Sequence, residues 1–261
     1  MKLNNGVDIP QIGYGVWQVP KEITKKCVLD ALEVGYRHID TAFAYQNEKE
    51  VGEAIRESGL RREDIFITTK IFAAKNYDEA CLMIERALKT MQLDYIDLML
   101  IHWPEADNVG MYKAMEDHYF KGKLRAIGLS NFYGEELDNI LQNARVIPAL
   151  NQIETHVYKN QKEMQKTLEK RGILLESWSP LASAKHDIFN EPVMVEIAEK
   201  YHKTVAQVAL RYLYERGIII IPKSVRKERM KENIDLLDFS LNDKDISAIE
   251  MLEEGKSIFE M

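Results

Sequence analysis

Apolar positions recur along this chain with two periods that succeed one another from end to end. Short apolar runs rich in β-branched residues, the mark of buried strands, fall at Gln11 to Val16, Tyr36 to Ala42, Ile65 to Ile71, Tyr95 to Trp103, Ala126 to Asn131, Ala149 to Glu154, Ile173 to Ser179 and Ile218 to Pro222. Between them lie stretches of helical period such as Asp78 to Leu88, whose apolar residues share one face. Ahead of the first strand, Leu3-Asn4-Asn5-Gly6-Val7-Asp8-Ile9 reads as a hairpin, Asn-Gly supplying the positive φ angles of a type I′ turn. An insertion from Glu191 to Lys203 precedes Thr204 to Arg216 in the seventh unit, and a last helix runs from Asn242 to about Glu253. Eight β-then-α units without linker or low-complexity segment predict an α/β fold: a (β/α)8 TIM barrel with an N-terminal hairpin and additional helices, one domain over residues 1–261. The competing doubly wound dinucleotide fold requires G-x-G-x-x-G after its first strand. Gly13-Tyr14-Gly15-Val16-Trp17-Gln18 lacks the third glycine.

Composition narrows the ligand. A net charge of −7 argues against a nucleic-acid or acidic-membrane partner and leaves a small molecule. The two cysteines, Cys27 and Cys81, sit inside helical patterns and read as buried free thiols, in keeping with a reducing cytoplasm. Met1-Lys2-Leu3-Asn4-Asn5-Gly6 has no apolar signal region, and no run of about eighteen apolar residues occurs, so neither export nor membrane insertion is expected.

In a parallel barrel, reactive groups come from strand C-termini and the loops that follow them. Asp40, Lys70 and His102 each fall at such a tip on three successive strands, and Tyr45 lies five residues beyond Asp40, within reach of a turn back over the strand end. Singly, these are a capping Asp, a rim Lys, a core His and a loop Tyr. Jointly they suit carbonyl reduction, where hydride addition to carbon requires a proton at oxygen. A phenol of normal pKa about 10 is a poor donor near neutrality. An ammonium at ~4 Å, with an effective dielectric of ~20, is worth about 4 kcal/mol toward phenolate, a lowering of the pKa by about three at most. Lys70 is placed to supply that pull, Asp40 to keep Lys70 charged while buried, and His102 to hold the substrate oxygen. No second His or Cys stands at ligand spacing to His102, so no metal site is expected.

His38-Ile39-Asp40-Thr41-Ala42-Phe43-Ala44-Tyr45-Gln46-Asn47-Glu48 resembles the signature of the aldo-keto reductases, and further marks of that family recur in order from Gly13 through Asn233. The likeness extends to the branch containing bacterial 2,5-diketo-gluconic acid reductase and prostaglandin F synthase. It implies a monomeric, NADPH-dependent reductase of aldehydes, ketones or dicarbonyls with Asp40, Tyr45, Lys70 and His102 as catalytic tetrad. The runner-up within the same resemblance is a cofactor-sensing subunit with little turnover. Ser130 and Asn131, with Gln152, correspond to the family's carboxamide-binding residues. Trp178, followed by Ser179, Leu181 and Ser183, sits where an aromatic stacks under the nicotinamide. Lys223, Ser224, Val225, Arg229, Glu232 and Asn233 resemble the adenosine-phosphate motif. Lys223, Ser224 and Arg229 have the chemistry to hold a 2′-phosphate. Two departures stand out: Val16 replaces a common hydroxyl residue, and Phe72 a frequent Trp.

Trp17, Tyr45, His102 and Trp103 are expected to wall the substrate pocket. The loop from Glu105 to Gly110 and the tail from Gly255 to Met261 are both short, which predicts an open mouth suited to small carbonyls.

Overall fold

The computed structural model describes residues 1–184 and 187–258. Its eight strands are β1 (Tyr14–Gly15), β2 (His38–Asp40), β3 (Phe66–Ile71), β4 (Ile96–Ile101), β5 (Leu124–Ser130), β6 (Leu150–Glu154), β7 (Leu174–Trp178) and β8 (Ile219–Ile220). They pair in parallel and in sequence order. The sheet closes on itself where the Gly13 N–H donates to Ile220 O (2.8 Å) and the Ile220 N–H to Gln11 O (2.9 Å).

This seam is tighter than the sequence suggests, and its two strands are reduced to two residues each. A Cβ on Gly13 would lie 2.5 Å from the Ile221 side chain, and one on Gly15 2.9 Å, so only glycine permits this approach of the first strand to the last.

Helices α1 (Lys21–Glu33), α2 (Glu48–Glu57), α3 (Tyr77–Met91), α4 (Asn108–Phe120), α5 (Gly134–Asn143) and α6 (Lys162–Glu169) each follow one strand. Two helices, α7 (Pro192–Tyr201) and α8 (Val205–Glu215), follow β7, and α9 (Lys227–Ile234) and α10 (Asp243–Glu250) follow β8. Side-chain caps set the starts of α3, α4, α7, α8 and α10. Asn76 accepts from Glu79 N–H (3.0 Å), which brings α3 in ahead of the expected Asp78, and Thr204 forms a reciprocal capping box with Gln207.

Strand alternation decides what faces the barrel interior. Ile39, Ile67, Met99, Ile127, Ile153 and Leu175 pack outward in the main core with the helices. Phe66, Leu98, Leu100, Ala126, Leu150 and Ile219 form a second, inner cluster, joined by Leu3 and Ile9 of the hairpin that stoppers the N-terminal end. The hairpin turn is not type I′. Gly6 alone has positive φ (84°), its N–H donating to Leu3 O, while Asn5 uses its side chain on Val7 N–H and Arg125 O. Those two side-chain bonds leave Asn5 outside the positive-φ region and produce a three-residue loop closed by a glycine.

No helix of the described residues is long and apolar enough to cross a membrane.

Candidate active site

The inward positions near the strand C-termini are polar: Asp40 on β2, Lys70 on β3, Gln152 on β6 and Glu176 on β7, all buried. Asp40 and Lys70 form the central pair, Lys70 Nζ donating to Oδ1 at 2.7 Å and Oδ2 at 2.8 Å. A third bond from Nζ goes to Thr41 O at 3.0 Å. Tyr45 stands on a single 3₁₀ turn, Phe43–Tyr45, held by buried Asn47, which accepts from Thr41 Oγ1 (2.8 Å) and donates to Val16 O (3.1 Å). The turn carries the phenol back over the tip of β2, with Oη 3.5 Å from Lys70 Nζ.

These distances correct the expected effect of Lys70 on the phenol. Asp40 and Thr41 take the short bonds from the ammonium and leave Tyr45 the long one at 3.5 Å, while the adjacent carboxylate offsets the positive charge. Burial therefore dominates, and the Tyr45 pKa lies above the usual value for a phenol despite Lys70. Burial also opposes the Lys70 charge, but Asp40, Tyr45 and Glu176 together outweigh it and the ammonium persists. Tyr45 thus holds its proton at neutral pH, the form a general acid needs. His102 is driven the other way, to about 3, by burial and then by Lys70, so its imidazole is neutral. Its ring meets the edges of Tyr45 and Phe72, each at a centroid distance of 5.6 Å. Phe72 is thus the packing partner that orients His102.

A cleft of about 840 Å³ runs from this group across the C-terminal ends of β6, β7 and β8. It gathers every sequence-derived candidate except Lys70, which lies beneath the surface behind Asp40 and Tyr45. Trp17, Phe72 and Trp103 form an exposed aromatic wall around Tyr45 and His102. Next come Ser130, Asn131, Gln152 and Trp178. Asn131 Nδ2 donates to His102 O and Ser130 Oγ (both 3.0 Å), and its Oδ1 accepts from Trp178 Nε1 (2.9 Å). Both Asn131 hydrogens are engaged inside the protein, leaving an oxygen lone pair, the Ser130 hydroxyl and the Gln152 oxygen for a ligand amide. The turn after β7 follows, with Ser179 and Ser183 at positive φ (51° and 49°) and joined through their hydroxyls at 2.8 Å. Such strained backbone concentrates at ligand sites.

The far end holds Lys223, Ser224, Val225, Arg229, Glu232 and Asn233. Sequence reasoning missed three contributors there: Arg226, the Thr204–Ala206 start of α8, and Phe189 from the 3₁₀ turn Ile188–Asn190 just ahead of the insertion. Arg226 stood in plain view between Val225 and Arg229, whereas Phe189 and Thr204 are distant in sequence and arrive only through folding. Lys223, Arg226 and Arg229 form no ion pair among the described residues, whereas Lys227, on the same helix as Arg229, bonds Glu33. Three uncompensated cations at one end of a cleft fit a phosphate-bearing ligand. Ser224 presently stabilises its own turn, accepting from Arg226 N–H at 3.0 Å. Val16 is fully buried and contributes its backbone alone, the N–H donating to Asp40 O (3.0 Å) and the carbonyl accepting from Asn47 Nδ2 (3.1 Å) and Val19 N–H (3.1 Å).

Residues 11–254 match the model of the aldo/keto reductase family. The chain belongs to that family. It is 42% identical to the glyoxal reductase of Bacillus subtilis over 262 residues, 99% of this chain and 94% of the relative. Among solved structures, an aldo-keto reductase from a Medee basin deep-sea metagenome library superposes with a TM-score of 0.97 at 42% identity, covering 99% of this chain and 97% of that one. A Bombyx mori aldo-keto reductase in complex with NADP superposes at 0.92 and 33% identity, covering 100% and 94%. The chain is therefore an oxidoreductase with the aldo/keto reductase (β/α)8 fold.

Two short segments bear on whether the mouth of the cleft is open. The chain passes from β4 to α4 in six residues, His102 to Asp107, and Asp107 caps the helix by accepting from Gly110 N–H at 2.8 Å. The tail turns away from the cleft: Ile258 is buried and its N–H donates to Glu154 Oε1 at 2.7 Å. None of residues 234–258 lines the cleft, so the mouth is open over the described residues; Phe259 to Met261 lie outside them.

Proposed function

We propose that this chain is an NADPH-dependent reductase of small aldehydes, ketones and dicarbonyls in which Tyr45 is the general acid, acting as a monomer in a reducing cytoplasm. One observation carries the reading: a protonated Tyr45 and a neutral His102 share the aromatic end of a cleft whose other end presents three unpaired cations. Lys223 and Arg229, with Arg226, would hold the 2′-phosphate and diphosphate, Trp178 would face the nicotinamide, and Ser130, Asn131 and Gln152 its carboxamide. A nicotinamide bound there supplies the hydride. His102 holds the substrate oxygen through an imidazole N–H, orienting the carbonyl carbon toward the cofactor side. Tyr45 Oη delivers its proton to that oxygen as negative charge develops. Lys70 then stabilises the phenolate left behind, and Asp40 keeps Lys70 charged throughout.

Among the described residues the aromatic end contains no cationic side chain on its surface, so neutral carbonyls fit it better than keto acids. The B. subtilis relative, named a glyoxal reductase, supports a small dicarbonyl.

Turnover of methylglyoxal with NADPH and with NADH, for wild type and Arg229→Ala, tests the reading. Wild type should turn over and prefer NADPH. Arg229→Ala should weaken NADPH binding alone, by about 1.5–3 kcal/mol for a charged hydrogen bond, roughly 10- to 150-fold. Equal losses for both cofactors would show that Arg229 does not read the 2′-phosphate.

A further inference from the structure

Glu176 has no place in the scheme above, yet it occupies the same buried layer as the Asp40–Lys70 pair. It lies on β7 two residues before Trp178, so alternation turns it into the barrel, where it is fully buried and forms no part of the cleft surface. Its register partner across β6–β7 is Gln152. The Gln152 amide nitrogen donates to both carboxyls, to Asp40 Oδ2 at 2.8 Å and to Glu176 Oε1. Glu176 Oε2 has no partner among the described residues.

The charge balance of this layer identifies the form Glu176 takes. Asp40 and Glu176 compete for one ammonium, and Lys70 gives two hydrogens to Asp40 and none to Glu176. The groups facing Glu176 are Asp40 from β2, Lys70 from β3, Tyr45 from the turn after β2 and neutral Gln152 from β6, while β8 offers only Ile219 in register. A second carboxylate here would be an unpaired buried charge. Burial, then the nearby Asp40, pushes the Glu176 carboxyl up to about 8, so it carries a proton at neutral pH.

We propose that Glu176, as a neutral carboxylic acid, is a positioning residue that fixes the Gln152 amide for the cofactor. With both Nε2 hydrogens held, one by Asp40 and one by Glu176, Gln152 keeps only its Oε1 for the cleft, an acceptor matched to the NH₂ of a carboxamide. Asp40 alone anchors the amide at one point, and Glu176 supplies the second. Loss of the Glu176 proton places a second negative charge beside Tyr45, which holds the phenol proton more tightly and slows its donation. This inference rests on the NADPH-dependent reading of the cleft.

The test compares wild type, Glu176→Gln and Glu176→Leu in NADPH binding titrations, thermal melts, and methylglyoxal turnover between about pH 6 and about pH 9.5. Glu176→Leu removes the acceptor and should weaken NADPH at least about tenfold at neutral pH. Glu176→Gln mimics the neutral acid, so it should recover most of that loss. It should also lack the alkaline fall in kcat expected of wild type near pH 8, because it has no proton to release. Two results overturn the inference: Glu176→Gln as impaired as Glu176→Leu at neutral pH, or a pH profile in Glu176→Gln identical to that of wild type. Should Glu176→Leu fail to fold, the Glu176→Gln profile still decides. If wild type neither binds nor consumes NADPH, the functional reading itself has failed. If wild type does both and the folded variants match it in NADPH affinity and pH profile, only the Glu176 inference has.

Discussion

Tyr45→Phe is expected to lower kcat for carbonyl reduction by about 10² to 10⁴, the range attributed to general acid catalysis, while leaving the NADPH dissociation constant within about twofold. The substitution removes one oxygen and keeps the ring. The phenyl edge still meets His102, and Lys70 Nζ still lies 5.1 Å from the ring centroid, so the packing that positions both neighbours survives. The phenol proton is lost. Pre-steady-state and steady-state turnover with methylglyoxal, alongside a binding titration, separate the two effects. Retention of more than about a tenth of wild-type kcat would remove Tyr45 from the role.

Lys70→Met is expected to be at least as damaging to turnover and, unlike Tyr45→Phe, to destabilise the fold. Lys70 is wholly buried, and its loss leaves the Asp40 carboxylate without its charged partner in the same layer as Glu176. Breaking a buried pair on one side typically costs about 3–5 kcal/mol. At roughly 2–4 °C per kcal/mol for a chain somewhat smaller than this one, the melting temperature should fall by the order of 10 °C. The double variant Asp40→Asn/Lys70→Met removes both charges and should recover much of that stability without recovering turnover. Recovery of turnover in the double variant would show that the pair serves the fold alone.

Much of this architecture is legible in one dimension because strand and helix periods differ and a parallel barrel places every strand tip on one face. Asp40, Tyr45, Lys70 and His102 are recognisable from that rule together with the family resemblance. The seam between β8 and β1 is less legible: Gln11 to Val16 and Ile218 to Pro222 read as ordinary strands, yet the close approach of Gly13 and Gly15 to Ile221 limits regular pairing to two residues each. The turn at Asn5-Gly6 departs from the type I′ expectation because Asn5 is held by Arg125 O, a partner 120 residues away. Burial and charge also resist linear reading. The pull of Lys70 on Tyr45 is apparent from residue types, but its cancellation by Asp40 and by desolvation emerges only from distances. Glu176 illustrates the same limit. In Leu174-Leu175-Glu176-Ser177-Trp178 it resembles a surface position of a half-exposed strand, and the available signal is that it shares a face with Trp178.

The most direct measurement of the central claim follows the hydride. Wild-type protein is supplied with NADPH carrying deuterium at the transferred position and with methylglyoxal, and the alcohol product is analysed by mass and by NMR. The expected result is one deuterium on the carbinol carbon for each NADPH consumed, with the hydroxyl proton exchangeable with solvent. Binding of NADPH without consumption across methylglyoxal and short aldehydes, or product lacking the label, would contradict a hydride-transferring reductase and leave the cleft as a cofactor-sensing site.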